Sequence, residues 1–165
     1  MRYKAVIFDL DQTLIDSSQL EALRNTRQWS KVLSSLNLIN YHTGFANLFD
    51  QIAKSGTKIG IITNSPRNYA VAVLTAFKIG YDALVAYHDV TRRKPDPEPF
   101  VKILSLLNLK AEECISIGDA DTDVIASRGA KIKCIGAKWY TPTYSFTTSP
   151  DVIVTNVEDL INHLK

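Results

Sequence analysis

Apolar runs of strand length recur along this chain, each followed by a stretch with helical spacing, and this alternation limits the fold more than any other feature. Lys4–Phe8, Thr57–Ile62, Ala83–Ala86, Cys114–Ile117, Ile132–Ile135 and Val152–Val154 read as strands. Between the first two, Ser18-Gln19-Leu20-Glu21 reads as a capping box, and Leu20, Leu23, Val32, Leu33 and Leu36 form a rough apolar stripe after it. Phe45, Leu48, Phe49 and Ile52 then share one helix face, which Gly56 ends. Ser65-Pro66 reads as an N-cap and first helical position, with helix to about Phe77. Pro95, Pro97 and Pro99 keep a loop extended before a helix through Leu107, and two more helices fall at about Thr122–Arg128 and Glu158–Leu164. The order predicts a three-layer, Rossmann-like α/β fold: a mostly parallel sheet with helices on both faces. At 165 residues, 45% of them hydrophobic, the chain suits one domain with its own core.

Several functions fall away. A net charge of +2, with Arg92-Arg93-Lys94 as the one tight basic run, gives no case for nucleic acid. Cys114 and Cys134 lie in apolar segments and read as reduced, buried thiols; with no CxxC and no His/Cys cluster, structural zinc is not expected. No apolar run is long enough to span a bilayer, and the N-terminus enters a strand without a leader pattern, so a cytoplasmic setting is expected.

The chemistry gathers at predicted strand ends. Ala5-Val6-Ile7-Phe8 runs straight into Asp9-Leu10-Asp11-Gln12-Thr13-Leu14. In extended backbone, residues two apart point the same way, so Asp9 and Asp11 face one crevice. Two carboxylates that close repel, and burial sharpens the repulsion. Ligands of open α/β sheets bind beyond the carboxyl ends of the strands, where Thr63, Lys94 and Asp119 also fall. Carboxylate oxygens suit a hard cation such as Mg²⁺, and a hydroxyl with an ammonium suits a phosphate group.

Asp9-x-Asp11-x-Thr13-Leu14, Thr63-Asn64, Lys94-Pro95 and Gly118-Asp119-x-x-x-Asp123, in that order, resemble the four motifs of the haloacid dehalogenase superfamily, in its phosphoglycolate-phosphatase-like branch. The resemblance covers nearly the whole chain. It implies a Mg²⁺-dependent phosphatase acting on a small phosphomonoester, with room for a bulkier one. Asp9 would be the nucleophile that forms an aspartyl-phosphate. Asp11 would be general acid and base, its backbone carbonyl also reaching the metal. Thr63, Asn64 and Lys94 would bind the phosphoryl group, and Asp119 and Asp123 would complete the metal shell. Two rivals share much of this set: a phosphomutase or phosphotransferase, and a receiver-like phospho-accepting module, which lacks an acid/base partner two residues beyond its aspartate. An inactive phosphate-binding scaffold is a third.

The chain departs from the pattern in two places. Gln12 stands where the family often has glycine, which implies a stiffer turn. The family's helical cap is reduced here to about Asp16–Thr43, one long helix or two short ones. Within it Arg24, Arg27 and Lys31 read as the solvated face of one helix, with attraction for an anionic substrate as the other reading. Trp139, Tyr140, Tyr144 and Phe146 read as packing a long loop onto the core, with roofing of the site as the alternative. His88 reads as a loop residue, and His42 and His163 carry no role.

Overall fold

The computed structural model describes residues 1–165. Six parallel strands, β1 (Ala5–Asp9), β2 (Lys58–Ile62), β3 (Ala83–Val85), β4 (Cys114–Gly118), β5 (Lys133–Ala137) and β6 (Val152–Val154), pair in the order β3-β2-β1-β4-β5-β6. β1 is central, and the chain moves to one side of it for β2 and to the other for β4, which opens a crevice at the β1 carboxyl end. Register aligns the ends: Phe8 lies opposite Ile61 and Ile117, and Asp9 opposite Ile62. Asp9, Thr63 and Asp119 therefore leave the sheet side by side.

β1 is apolar on both faces because both are covered. Val6 and Phe8 join the larger core with α3 (Gly44–Lys54), α4 (Arg67–Ala76) and α7 (Val157–Leu164). Ala5 and Ile7 join the smaller one with α5 (Glu98–Leu107) and α6 (Asp121–Gly129). The predicted three layers are present, with element ends shifted by one to three residues.

The segment after β1 is two short helices, α1 (Glu21–Asn25) and α2 (Trp29–Ser34), flanked by single 3₁₀ turns at Ser18–Leu20 and Leu36–Leu38. Its ends meet: Asp16 N donates to Asn40 O (2.9 Å) and Asn40 N to Asp16 O (3.0 Å). Leu20 and Val32 are buried in the larger core, so most of the apolar stripe holds.

Three local expectations are corrected. Ser18 does not cap a helix: it is the first residue inside the 3₁₀ turn, with Ser17 at the cap position, and its N–H donates to Asp16 Oδ1 (3.0 Å). Ser65 does not cap α4 either, because its hydroxyl is turned to Asp11. Arg24, Arg27 and Lys31 do not share a helix face, because the helix breaks at Thr26–Gln28, where Arg27 has φ 56°. Lys31 and Arg27 are exposed as expected, but Arg24 is mostly buried.

The long segment after β5 packs down rather than roofing the crevice. Trp139 meets Phe45 edge-on and donates from Nε1 to Thr13 O (2.8 Å), which pins the turn after β1. Tyr140 accepts from His42 N (2.8 Å), and Tyr144 packs edge-on against Phe146. Tyr144 donates to Asp121 Oδ2 (2.7 Å), and Thr147 and Thr148 also donate to that carboxylate. These bonds pull Asp121 down to about 2 and hold the segment against the start of α6.

Candidate active site

Four chain segments converge above β1. Asp9 ends the strand, and the Lys94 loop reaches across from the β3 side. There Lys94 Nζ donates to Asp9 Oδ1 (2.6 Å) and Asp123 Oδ1 (2.5 Å). Asn64 fixes that loop by donating from Nδ2 to Lys94 O (3.0 Å). Asp123 sits in the first turn of α6, where its Oδ2 accepts from Ala120 N (3.2 Å) and the helix end favours a negative charge. Gly118 lets it come so close: a Cβ there would lie 2.4 Å from Asp123 Cβ. Asp119 accepts from the buried Thr13 hydroxyl (3.2 Å). Thr63, also buried, accepts from Ser65 N (3.0 Å) and lines the same cleft.

Oxygens of Asp9, Asp119 and Asp123 lie within 4.8 Å of one another. Three carboxylates share this space with one ammonium, and the electrostatics record the crowding. Burial is the largest influence on Asp9 and raises its carboxyl well above the ordinary range; Lys94 opposes this, while Asp123 and Asp119 add to it. Burial, then Asp123, lifts Asp119 to about 7. Burial works against the Lys94 ammonium, but Asp123 and Asp9 outweigh it and hold that pKa above its usual value. A hard divalent cation fits this donor set: its oxygens are close enough for one ion, and its excess negative charge is what such an ion relieves.

The Asp11 side chain stands outside that trio. Ser17 Oγ (2.8 Å) and Tyr69 OH (2.7 Å) donate to its Oδ1 and Ser65 Oγ (2.8 Å) to its Oδ2, while Arg24 Nη2 forms an ion pair with Oδ2 (2.9 Å). Tyr69 is the largest fully buried side chain, and its ring also supports Trp29 (centroids 5.6 Å apart) and the Arg24 guanidinium (5.8 Å). This shell was invisible to pattern reading. Ser17 and Ser65 lie in two separate loops and Tyr69 in α4, so no local spacing ties them to Asp11.

The carboxylates and Lys94 floor a cleft of about 450 Å³. Its walls include Arg24, Arg27 and Trp29 from the segment after β1 and Tyr87 and His88 from the loop after β3. His88 thus does reach the cleft, whereas none of the four aromatics after β5 does. Every predicted site residue, Asp9, Asp11, Thr63, Asn64, Lys94, Asp119 and Asp123, lines it.

Comparison with known proteins gives a consistent picture. The family model of haloacid dehalogenase-like hydrolases matches residues 21–137. A pyrophosphatase PpaX from Bacillus anthracis is 30% identical over 89% of this chain and 70% of its own length. A phosphoglycolate phosphatase from Yersinia pseudotuberculosis is 33% identical over 67% of this chain, a match that spans 50% of that relative. Among solved structures, a mutant of CbbY from Rhodobacter sphaeroides, in complex with xylulose-1,5-bisphosphate, superposes with a TM-score of 0.83. It covers 96% of both chains at 16% identity, a likeness of fold.

Proposed function

The chain belongs to the haloacid dehalogenase-like hydrolases, and from that premise we propose that it is a Mg²⁺-dependent phosphatase working through an aspartyl-phosphate on Asp9. The observation that carries this reading is the convergence of Asp9, Lys94, Asp119 and Asp123 at the β1 carboxyl end, with Lys94 joining two of the acids.

Asp9, Asp119 and Asp123 would hold the cation, with the backbone carbonyl of Asp11 beside them. Bound there, the ion neutralises phosphate charge and lowers the electrostatic barrier to an anionic nucleophile. An Asp9 oxygen attacks phosphorus in line, and the bond from phosphorus to the leaving oxygen breaks. The leaving oxygen takes a proton from Asp11. Water then attacks the same phosphorus and gives a proton to Asp11, the bond from Asp9 to phosphorus breaks, and inorganic phosphate departs. Lys94 and the Thr63 hydroxyl stabilise charge on the transferring group, each such preorganised donor being worth ~3–4 kcal/mol of barrier.

The segment Asp16–Thr43 acts as a reduced cap on a single core domain. It walls one side of the cleft and leaves the rest open, which suits a small phosphorylated substrate and tolerates a larger one. Phosphoglycolate and pyrophosphate, the compounds in the relatives' names, are the first to try.

The test is release of inorganic phosphate from these compounds and from p-nitrophenyl phosphate, with and without Mg²⁺. Turnover is expected only with the ion present, and Asp9→Asn is expected to abolish it. Undiminished turnover in Asp9→Asn would falsify the nucleophile assignment.

A further inference from the structure

Asp11 poses a problem that the proposed chemistry must solve. A carboxylate offers about four lone-pair sites. Here three are taken by hydrogen bonds from Ser17, Tyr69 and Ser65, and the Arg24 guanidinium, ion-paired to Oδ2 at 2.9 Å, lies against the remaining one. In this arrangement Asp11 has no open position from which to give or take a proton. One partner has to leave. Ser65 and Tyr69 are buried on the core, and Ser17 is buried at the root of the segment after β1. Arg24 comes from the short helix α1, whose five residues include none that is buried.

Arg24 is also poorly satisfied where it is. Nη2 contacts Asp11 and Nη1 donates to Ser17 Oγ (2.7 Å), but Nε is buried without a partner. Burying an unpaired donor is unfavourable, more so on a charged group. The Nε and Nη2 edge of a guanidinium is a planar fork that matches a carboxylate or a phosphate with two parallel bonds. Asp11 engages only half of that fork, because its other positions belong to the core donors. Arg24 and the exposed Arg27 line the same cleft as Asp9 and Lys94.

We propose that Arg24 determines the specificity of this cleft: it binds a second anionic group on the substrate, carboxylate or phosphate, and in doing so releases Asp11. This rests on the phosphatase reading above and adds the substrate class to it. A phosphoester with a second anion gives Arg24 a full bidentate partner in exchange for a partial one, and Asp11 becomes free at the moment it is needed. A phosphoester without one leaves Arg24 on Asp11. Arg24 is thus a binding residue for the second anion and a positioning residue for Asp11.

Phosphoglycolate and ethyl phosphate make a matched pair, since one has a carboxylate where the other has a methyl group; pyrophosphate offers the second anion as phosphate. For the wild-type protein with Mg²⁺, kcat/KM for the better of the two probes that carry a second anionic group is expected to exceed that for ethyl phosphate by on the order of 10²-fold. Phosphoglycolate and pyrophosphate then tell which anion fits. In Arg24→Met the ratio is expected to collapse from both sides: turnover of the preferred probe falls, and kcat for ethyl phosphate rises because Asp11 is no longer held. A merely structural role would lower both. Arg24→Lys, which keeps the charge but not the fork, is expected to fall between. If wild-type protein turns over ethyl phosphate as well as phosphoglycolate and pyrophosphate, the proposal is overturned and the phosphatase reading stands. If the ratio survives in the Lys variant unchanged, the fork is not the reader. Phosphate release from none of the probes, p-nitrophenyl phosphate included, would sink both.

Discussion

Raising the pH of the metal-free protein is expected to weaken its fold, and the size of the loss follows from Asp119. Burial first, then the Asp123 carboxylate, moves this group from 3.8 to about 7. At about pH 5 the native state therefore holds a proton that the unfolded chain has released. Stability from this source is complete below the unfolded value and is lost as pH rises through the folded one. Between about pH 5 and about pH 8, a shift of this size removes ~2–3 kcal/mol. Asp9 is raised in the same direction by its own burial, so it deepens the loss. The assay is urea denaturation in EDTA at both pH values, for wild type and for Asp119→Asn. The variant has no proton to lose at that position, so its stability should fall less over the interval, by about 2–3 kcal/mol. Adding Mg²⁺ at the higher pH should restore the wild type, as binding to the native state alone stabilises by ~2.7 kcal/mol at a hundredfold excess over Kd. Parallel pH dependence of wild type and variant would refute the crowding of charge on which the metal assignment rests.

Three further outcomes are expected. Gly118→Ala places a Cβ 2.4 Å from Asp123 Cβ, so α6 must shift; equilibrium unfolding should show a loss of about 1–3 kcal/mol, and calorimetry a weaker Mg²⁺ affinity. Gln12 has φ 63°, a region that costs an L-residue roughly 1–2 kcal/mol, so Gln12→Gly should hold or raise the urea midpoint despite the greater freedom of glycine in the unfolded chain. Burial lifts both Cys114 and Cys134 to about 11, so neither should react with Ellman's reagent near neutral pH until the protein is unfolded.

The layered fold was legible because it rests on periodicity: β1 is apolar on both faces, and Phe45, Leu48 and Ile52 recur at helical spacing. Asp9, Thr63 and Asp119 were legible because parallel strands deliver their ends to one edge. What escaped was hydroxyl allocation and chain breaks. Ser18 and Ser65 have the composition of helix caps, but Ser18 falls one residue inside its turn with its N–H on the neighbouring Asp16, and the Ser65 hydroxyl goes to Asp11, which is far away in sequence and so invisible to local spacing. Nothing in Thr26-Arg27-Gln28 marks a break, since Arg27 adopts φ 56° without the glycine that such a conformation usually draws. Arg24 then turns inward to Asp11, while Arg27 and Lys31 behave as spacing suggests.

The paired backbone bonds between Asp16 and Asn40 have an engineering consequence. They pinch the root of the segment shut, so the excursion starts and finishes at one spot. A longer module spliced between Ser17 and Ile39 that keeps apolar groups in place of Leu20 and Val32 would cost little beyond the slow logarithmic penalty of a wider loop. The pinch makes this a natural grafting port, where a new substrate reader can be swapped in while the hydrolytic floor stays as it is.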